Sequence, residues 1–177
     1  MVKLKVSIKA TLENVTDLKA RLVHAFEIPV GEDFTYMFKI ECGSCHEIHS
    51  NWVGIDATES REISGSRGEA NLVWRCSFCK RESSISFDSS IDRAKTAYTH
   101  EQSEEQRFGA IAVLECRGCT IVEFDPKGTW SCVGIESGTK FDEVELSLDE
   151  PDGWTDYDEK AAAPVGVSEF ESRIDRA

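Results

Sequence analysis

The opening residues Val2-Lys-Leu-Lys-Val-Ser-Ile8 alternate apolar and polar side chains with period two, which places Val2, Leu4, Val6 and Ile8 on one buried face of a strand. Between residues 12 and 26 the period changes. Leu12, Val15, Leu18, Leu22 and Phe26 recur at helical spacing and Pro29 would stop a helix soon afterwards, so a short helix or irregular turn is expected to interrupt the sheet. Strand patterning returns at Phe34 to Glu41, Asn51 to Ile55 and Ala70 to Arg75. The Gly-rich stretch 64–69 between the last two lacks the Lys-Ser/Thr ending of a phosphate loop and reads as a plain loop. Residues 88–107 are polar, with Glu101, Glu104 and Glu105 close together, and are expected to form an exposed connector with one helical turn. Beyond it Ala110 to Leu114, Thr120 to Phe124 and Trp130 to Ile135 read as strands.

The restart carries a weak internal repeat. Ile40-Glu41-Cys42-x-x-Cys45, followed by Trp52 and Val53-Gly54-Ile55-Asp56, matches Leu114-Glu115-Cys116-x-x-Cys119, followed by Trp130 and Val133-Gly134-Ile135-Glu136. The expected fold is therefore all-β, with two similar β-sandwich or barrel-like halves packed together. Residues 1–100 form the N-terminal half, and residues 101–177 form a C-terminal half in which the repeat is degenerate and no metal site is complete.

With 177 residues, 40% hydrophobic and 30% charged, the chain is long enough to bury a core and too short for a large multidomain enzyme. Its net charge of −13 repels phosphate backbones and anionic lipid, which argues against nucleic acid and membranes as partners. The sequence has no apolar run of spanning length and no signal-type N-terminus, so a cytosolic or nuclear, monomeric protein is expected. The acidic stretch Phe141 to Glu159, with nine carboxylates, reads as a solubilising surface or as a docking face for a basic partner.

Seven cysteines, an odd number in a chain expected in a reducing compartment, point to thiols and metal ligands before disulfides. Cys42-Gly-Ser-Cys45 and Cys76-Ser-Phe-Cys79 each supply two ligands from a tight turn. Two such turns, each ending a strand, make a closed four-thiolate site for one structural zinc ion. Gly43 and Ser44 suit the first turn, and Arg75, Lys80 and Arg81 are placed to offset the excess negative charge. An iron-sulfur cluster would use the same ligands, although the spacing does not follow ferredoxin runs.

Other readings of these residues carry less. Cys42-x-x-Cys45-His46 matches covalent haem attachment, but the second pair offers both thiols a better partner. His24, His46, His49 and His100 are scattered, with no catalytic pattern among them. Two rival functions follow from the surplus thiols Cys116, Cys119 and Cys132. One is exchange of a soft ion, copper or zinc, with a metal-handling partner. The other is a thiol-dependent reductase using Cys132, whose setting Trp130-Ser131-Cys132-Val133-Gly134 has no Arg or His to hold a thiolate.

The runs KATLENVTDL, VGEDF, Gly65-Ser-Arg-Gly68, ECRG at 115–118, GIESGT at 134–139 and WTDYDEKA at 154–161 together resemble the eukaryotic CXXC-motif-containing zinc-binding protein family. The resemblance covers nearly the whole chain. It implies an all-β protein of two similar halves, one zinc on Cys42, Cys45, Cys76 and Cys79, and no enzyme activity. An extra segment around Ala20 to Pro29, together with Cys119 and Cys132, departs from the family pattern. The expectation is a non-catalytic zinc protein that acts as an interaction module for an unidentified, basic or metal-handling partner.

Overall fold

A computed structural model describes residues 1–21, 34–92, 95–150 and 152–177. Among them are fourteen strands and one helix of five residues. The protein is thus nearly all β, as its alternating pattern predicts.

The strands are β1 (Val2–Glu13), β2 (Val15–Ala20), β3 (Thr35–Cys42), β4 (Val53–Asp56), β5 (Arg61–Glu62), β6 (Glu69–Ala70), β7 (Leu72–Arg75) and β8 (Glu82–Phe87). After helix α1 (His100–Glu104) come β9 (Gly109–Arg117), β10 (Cys119–Asp125), β11 (Gly128–Gly134), β12 (Lys140–Leu146), β13 (Trp154–Asp158) and β14 (Ala163–Arg176). One six-stranded antiparallel sheet runs β13-β14-β1-β9-β8-β7. Two three-stranded sheets, β10-β3-β4 and β12-β11-β2, accompany it, and β5-β6 is a small hairpin.

The order of these sheets is that of a duplicated unit whose copies exchange strands. Reading β1, β2, β3, β4, β7, β8 against β9, β10, β11, β12, β13, β14 superposes every neighbour relation in the three larger sheets. The two copies meet in the sequence between β8 and β9. In space, however, β1 and β2 lie with β11 to β14, and β9 and β10 lie with β3 to β8. Each half therefore takes its first two strands from the other end of the chain, and β1 and β9 pair at the centre of the large sheet.

Matching registers carry the comparison to single residues. Val15 pairs with Gly134 on one side, as Cys119 pairs with Cys42 on the other. The chain turns from the large sheet to a small one at Asn14 (φ 54°) and at Gly118 (φ 77°) respectively. The Ile135 amide donates to the Asn14 carbonyl, 3.0 Å, as the Gly43 amide donates to that of Gly118, 2.9 Å. The repeat expected from the letters Glu-Cys-x-x-Cys is thus out of register. Cys42 corresponds to Gly134, and Cys116 and Cys119 correspond to the core residues Leu12 and Val15.

No described helix continues from residue 12. Leu12 ends the buried face of β1, and Val15, Leu18 and Ala20 are buried on β2. Their spacing has a physical cause: Thr16 and Lys19 face Val133 and Ser131, so three steps on β2 match two on β11. This bulge, with Asp17 at φ 56°, imitates a helical period. Leu22, His24, Phe26 and Pro29 lie outside the described residues.

The connector does carry its helical turn, closed by a capping box of Thr99 and Gln102. It also reaches the core, contrary to expectation. Tyr98 is fully buried and exchanges backbone hydrogen bonds with Leu18, and the Leu12 amide donates to Ser103 Oγ at 2.9 Å. The aromatic core is built from Phe34, Tyr36, Phe38, Phe124 and Trp130, with Phe34 edge-on to both Tyr36 and Trp130. No described helix is long and apolar enough to cross a membrane.

Candidate metal centre

The first C-x-x-C turn closes the end of β3. The Cys42 amide donates to the Glu47 carbonyl and the His46 amide to the Cys42 carbonyl, each at 2.9 Å, with His46 at φ 58°. The second closes the end of β7 in the same way. The Cys76 amide donates to the Arg81 carbonyl and the Lys80 amide to the Cys76 carbonyl, each at 3.0 Å, with Lys80 at φ 64°. Both turns thus reverse through a left-handed residue immediately after the second cysteine, although neither residue is glycine.

These turns bring Cys42, Cys45, Cys76 and Cys79 together, with all four Sγ atoms within 4.8 Å of one another. Cys42 Sγ lies 3.5 Å from Cys79 Sγ, and Cys45 Sγ 3.7 Å from Cys76 Sγ. Zn–S bonds of about 2.3 Å in a tetrahedron set sulfurs about 3.8 Å apart, so the donor set fits zinc. β3 belongs to a small sheet and β7 to the large one. The cluster therefore spans two sheets and ties them at one end.

Backbone amides favour thiolate here. Those of Cys45 and Ser44 hold the Cys42 thiol down to about 6, and those of Cys79 and Phe78 lower Cys76. The Glu47 amide also draws on Cys45, but burial and the sulfurs of Cys76, Cys79 and Cys42 outweigh it and push that thiol up to about 12. Four negative sulfurs at these distances need a cation between them. A divalent metal held by Cys42, Cys45, Cys76 and Cys79 would supply it and deprotonate the set together.

The surrounding cations act partly as expected. Arg81 Nη1 donates to Ser44 Oγ at 2.7 Å and so links the two turns, and Lys80 Nζ donates to the Ser77 carbonyl. Arg75 instead pairs with Glu82 at 3.2 Å. His46, its side chain 76% exposed, bonds Glu41 through Nδ1, and His49 accepts from the Asn51 amide. Neither belongs to the sulfur cluster.

Cys116, Cys119 and Cys132 are at most 6% exposed. Cys116 sits between Ile85 and Val2 in the large sheet, and Cys119 lies beside Cys42 in a small one. The third C-x-x-C is therefore a crossing between sheets. Cys132 faces Phe141 across β11 and β12, and burial, followed by the charges of Asp142 and Asp156, pushes its thiol up to about 12. Those carboxylates share an open cleft of about 440 Å³ with Arg21, Lys140, Phe141 and Trp154.

The other half contains the same pair of turns without cysteine, which sequence comparison missed. The Gly134 amide donates to the Thr139 carbonyl and the Gly138 amide to the Gly134 carbonyl, with Gly138 at φ 66°. Asp158 pairs with Ala163 around a fourth turn whose Ala162 has φ 51°. Gly134, Ser137, Asp158 and Ala161 thus stand where the other half has Cys42, Cys45, Cys76 and Cys79.

A carboxylate ties this second pair of turns. Asp158, 1% exposed, accepts from the hydroxyls of Ser137 and Thr139 and from the Lys160 and Ala161 amides. A Cβ at Gly134 would stand 2.5 Å from Asp158 Oδ2, so the carboxylate occupies the space into which a cysteine there would project. The Ser137 hydroxyl is the foremost of the groups holding this carboxyl below the usual range. The motifs GIESGT and WTDYDEKA are these two turns.

A family model described as "CXXC motif containing zinc binding protein, eukaryotic" matches residues 5–175. A CXXC motif containing zinc binding protein of Bos taurus is 41% identical over 169 residues, covering 96% of this chain and 95% of its own length. The protein of that name from Homo sapiens is 40% identical with the same coverage. A crystal structure of C1orf123 has a TM-score of 0.80 at 37% identity and covers 99% of each chain. A hypothetical protein from Plasmodium falciparum shares the fold, with a TM-score of 0.77 at 23% identity, over 99% of this chain and all of its own.

Proposed function

Because the chain belongs to the eukaryotic family of CXXC-motif-containing zinc-binding proteins, we propose that it holds one zinc ion on Cys42, Cys45, Cys76 and Cys79 and acts, without catalysis, as a protein-interaction module. The observation that carries this reading is the closed set of four sulfurs drawn from two sheets. When bound, the metal supplies charge neutralisation and a cross-link, and four thiolates leave it no open position. The two turns then form a stiff edge.

That edge presents apolar side chains. Phe78, between the cysteines of the second turn, is 75% exposed, and Ile48, just after the first, is 48% exposed. Neither contributes to the core, and both are positioned by the turns that the metal fixes. Contact with another protein through this edge is the reading they support, in a chain taken to be a cytoplasmic or nuclear monomer.

The rival readings have less behind them. Cys132 is 1% exposed and its neighbouring carboxylates disfavour the thiolate, which speaks against a nucleophile there. Soft-metal trafficking calls for thiols that a partner can reach, and Cys116 and Cys119 are buried.

Native mass spectrometry with thiol alkylation tests the metal assignment. One zinc with three alkylatable thiols after denaturation under zinc-retaining conditions supports it, and more than one metal, or none, overturns it. Comparative proximity labelling with Phe78→Ala tests the surface. Loss of specific partners with zinc and melting temperature unchanged supports the module, and an unaltered partner set removes it.

A further inference from the structure

Two buried thiols outside the zinc set flank a single bend between the two sheets that the sulfur cluster also joins. Cys116 lies near the end of β9 in the large sheet, and Cys119 begins β10 in a small one. Period-two alternation would keep residues three apart on opposite faces. The left-handed bend at Gly118, φ 77°, resets it, so that both side chains are buried and the Cys116 thiol is the foremost group acting on that of Cys119.

The counterparts in the other half, Leu12 and Val15, are ordinary buried residues of the core. Sulfur at both positions adds redox chemistry to a place that the fold otherwise fills with apolar side chains. Arg117 and Gly118, between the two thiols, are exposed, while the thiol-bearing residues themselves are buried and within reach only of a small oxidant.

We propose that Cys116 and Cys119 form a reversible disulfide, a redox modification site that spans the two sheets beside the metal. With hydrogen peroxide as oxidant, one thiolate attacks a peroxide oxygen: an S–O bond forms, the O–O bond breaks, and a water leaves. The second thiol attacks that sulfur, forming the S–S bond and releasing the other water. Two thiols are oxidised, peroxide is reduced to two waters, and a dithiol reductant reverses the change.

The modification is coupled to the zinc site through Gly118. Its carbonyl accepts the Gly43 amide of the first turn and the Ser83 hydroxyl, both at 2.9 Å, and Cys119 lies directly across from Cys42. An S–S bond of about 2.05 Å draws residues 116 and 119 together and tightens that bend. Disturbing a partner of the ligand-bearing turn is expected to lower zinc affinity about tenfold.

The test uses the full zinc-loaded chain, titrated with hydrogen peroxide and followed by intact mass, peptide mapping and a chromogenic zinc chelator. A product lighter by two hydrogens, with Cys116 joined to Cys119 and Cys132 free, is expected before any zinc ligand is oxidised. Dithiothreitol should restore it. The early product should disappear in Cys116→Ser and in Cys119→Ser, either of which suffices if the other does not fold. Oxidation of the four clustered cysteines first, with Cys116 and Cys119 still free, overturns the proposal. The disulfide is read from mass alone, whereas the zinc readout rests on the metal assignment. A disulfide with unchanged zinc affinity would therefore refute only the coupling.

Discussion

Stripping zinc should lower the melting temperature by about 8–16 °C while leaving one cooperative transition. The metal fixes two turns, each closed by two backbone hydrogen bonds: Cys42 to Glu47 and His46 to Cys42, then Cys76 to Arg81 and Lys80 to Cys76. At about 1 kcal/mol each, the four bonds come to about 4 kcal/mol. A chain of this size shifts by roughly 2–4 °C per kcal/mol. The remaining core, from Leu4 to Val167 and including Trp130, Tyr36 and Phe38, makes no use of the metal and should hold the apo chain together. Differential scanning calorimetry on zinc-loaded, chelated and zinc-restored samples measures the shift, and hydrogen exchange locates it. Protection should fall at residues 42–48 and 75–82 and stay unchanged around Asp158. A shift below about 2 °C would refute the reasoning, because the turns would then be stable alone. Loss of cooperative unfolding would refute it from the other side, because the metal would then hold the whole fold.

Three further outcomes follow from the same geometry. Asp158→Asn places an NH2 donor against hydroxyl and amide donors and should destabilise the half without cysteines at pH 7. The folded-state pKa of Asp158 is depressed, so its contribution is complete above the unfolded value of about 3.9 and fades as pH falls through the folded value. Wild type and variant melts should converge only below about pH 4, and convergence at pH 6 would contradict this. Trp130→Phe removes the 2.7 Å hydrogen bond from Nε1 to the buried Pro126 carbonyl and should cost about 1–3 kcal/mol in urea unfolding, with zinc content unchanged. Gly118→Ala forces an L side chain into φ 77° with its Cβ 2.9 Å from Ser83 Oγ; a loss of at least about 1 kcal/mol is expected, and a neutral result would mean the bend is not constrained.

The all-β class and the sulfur cluster were legible because each rests on a local signal: alternation for the strands, and paired C-x-x-C spacing for the turns. What escaped depends on distant pairing. β14 runs for fourteen residues, yet its tail Phe170-Glu-Ser-Arg-Ile-Asp-Arg176 reads as a charged surface segment, and a bulge at Glu169, φ 51°, breaks its period. β12 and β13 are hidden in the acidic stretch because they are sheet edges, where exposed Asp142, Glu143, Glu145 and Asp156 discourage pairing with another chain. The repeat was seen but misaligned. Identical letters drew Cys116 onto Cys42, whereas the backbone places Gly134 there, and a ligand position that has lost its cysteine leaves no chemical trace in the sequence.

Aligned by geometry, the two halves show two solutions to one mechanical problem. A strand-exchanged duplication leaves a pair of turns at the end of each half, and each pair must be tied across its two sheets. One tie is a metal-binding sulfur cluster and the other a carboxylate with four hydrogen-bond donors. The carboxylate tie responds only to protons, in a range far below neutrality. A thiolate tie depends on metal supply, and the additional thiols Cys116 and Cys119 lie on its side of the molecule. Exposed apolar side chains occur on both halves, Phe78 and Ile48 beside the sulfur cluster and Ile135, Leu148 and Tyr157 on the carboxylate side, so what sets the metal half apart is its chemistry.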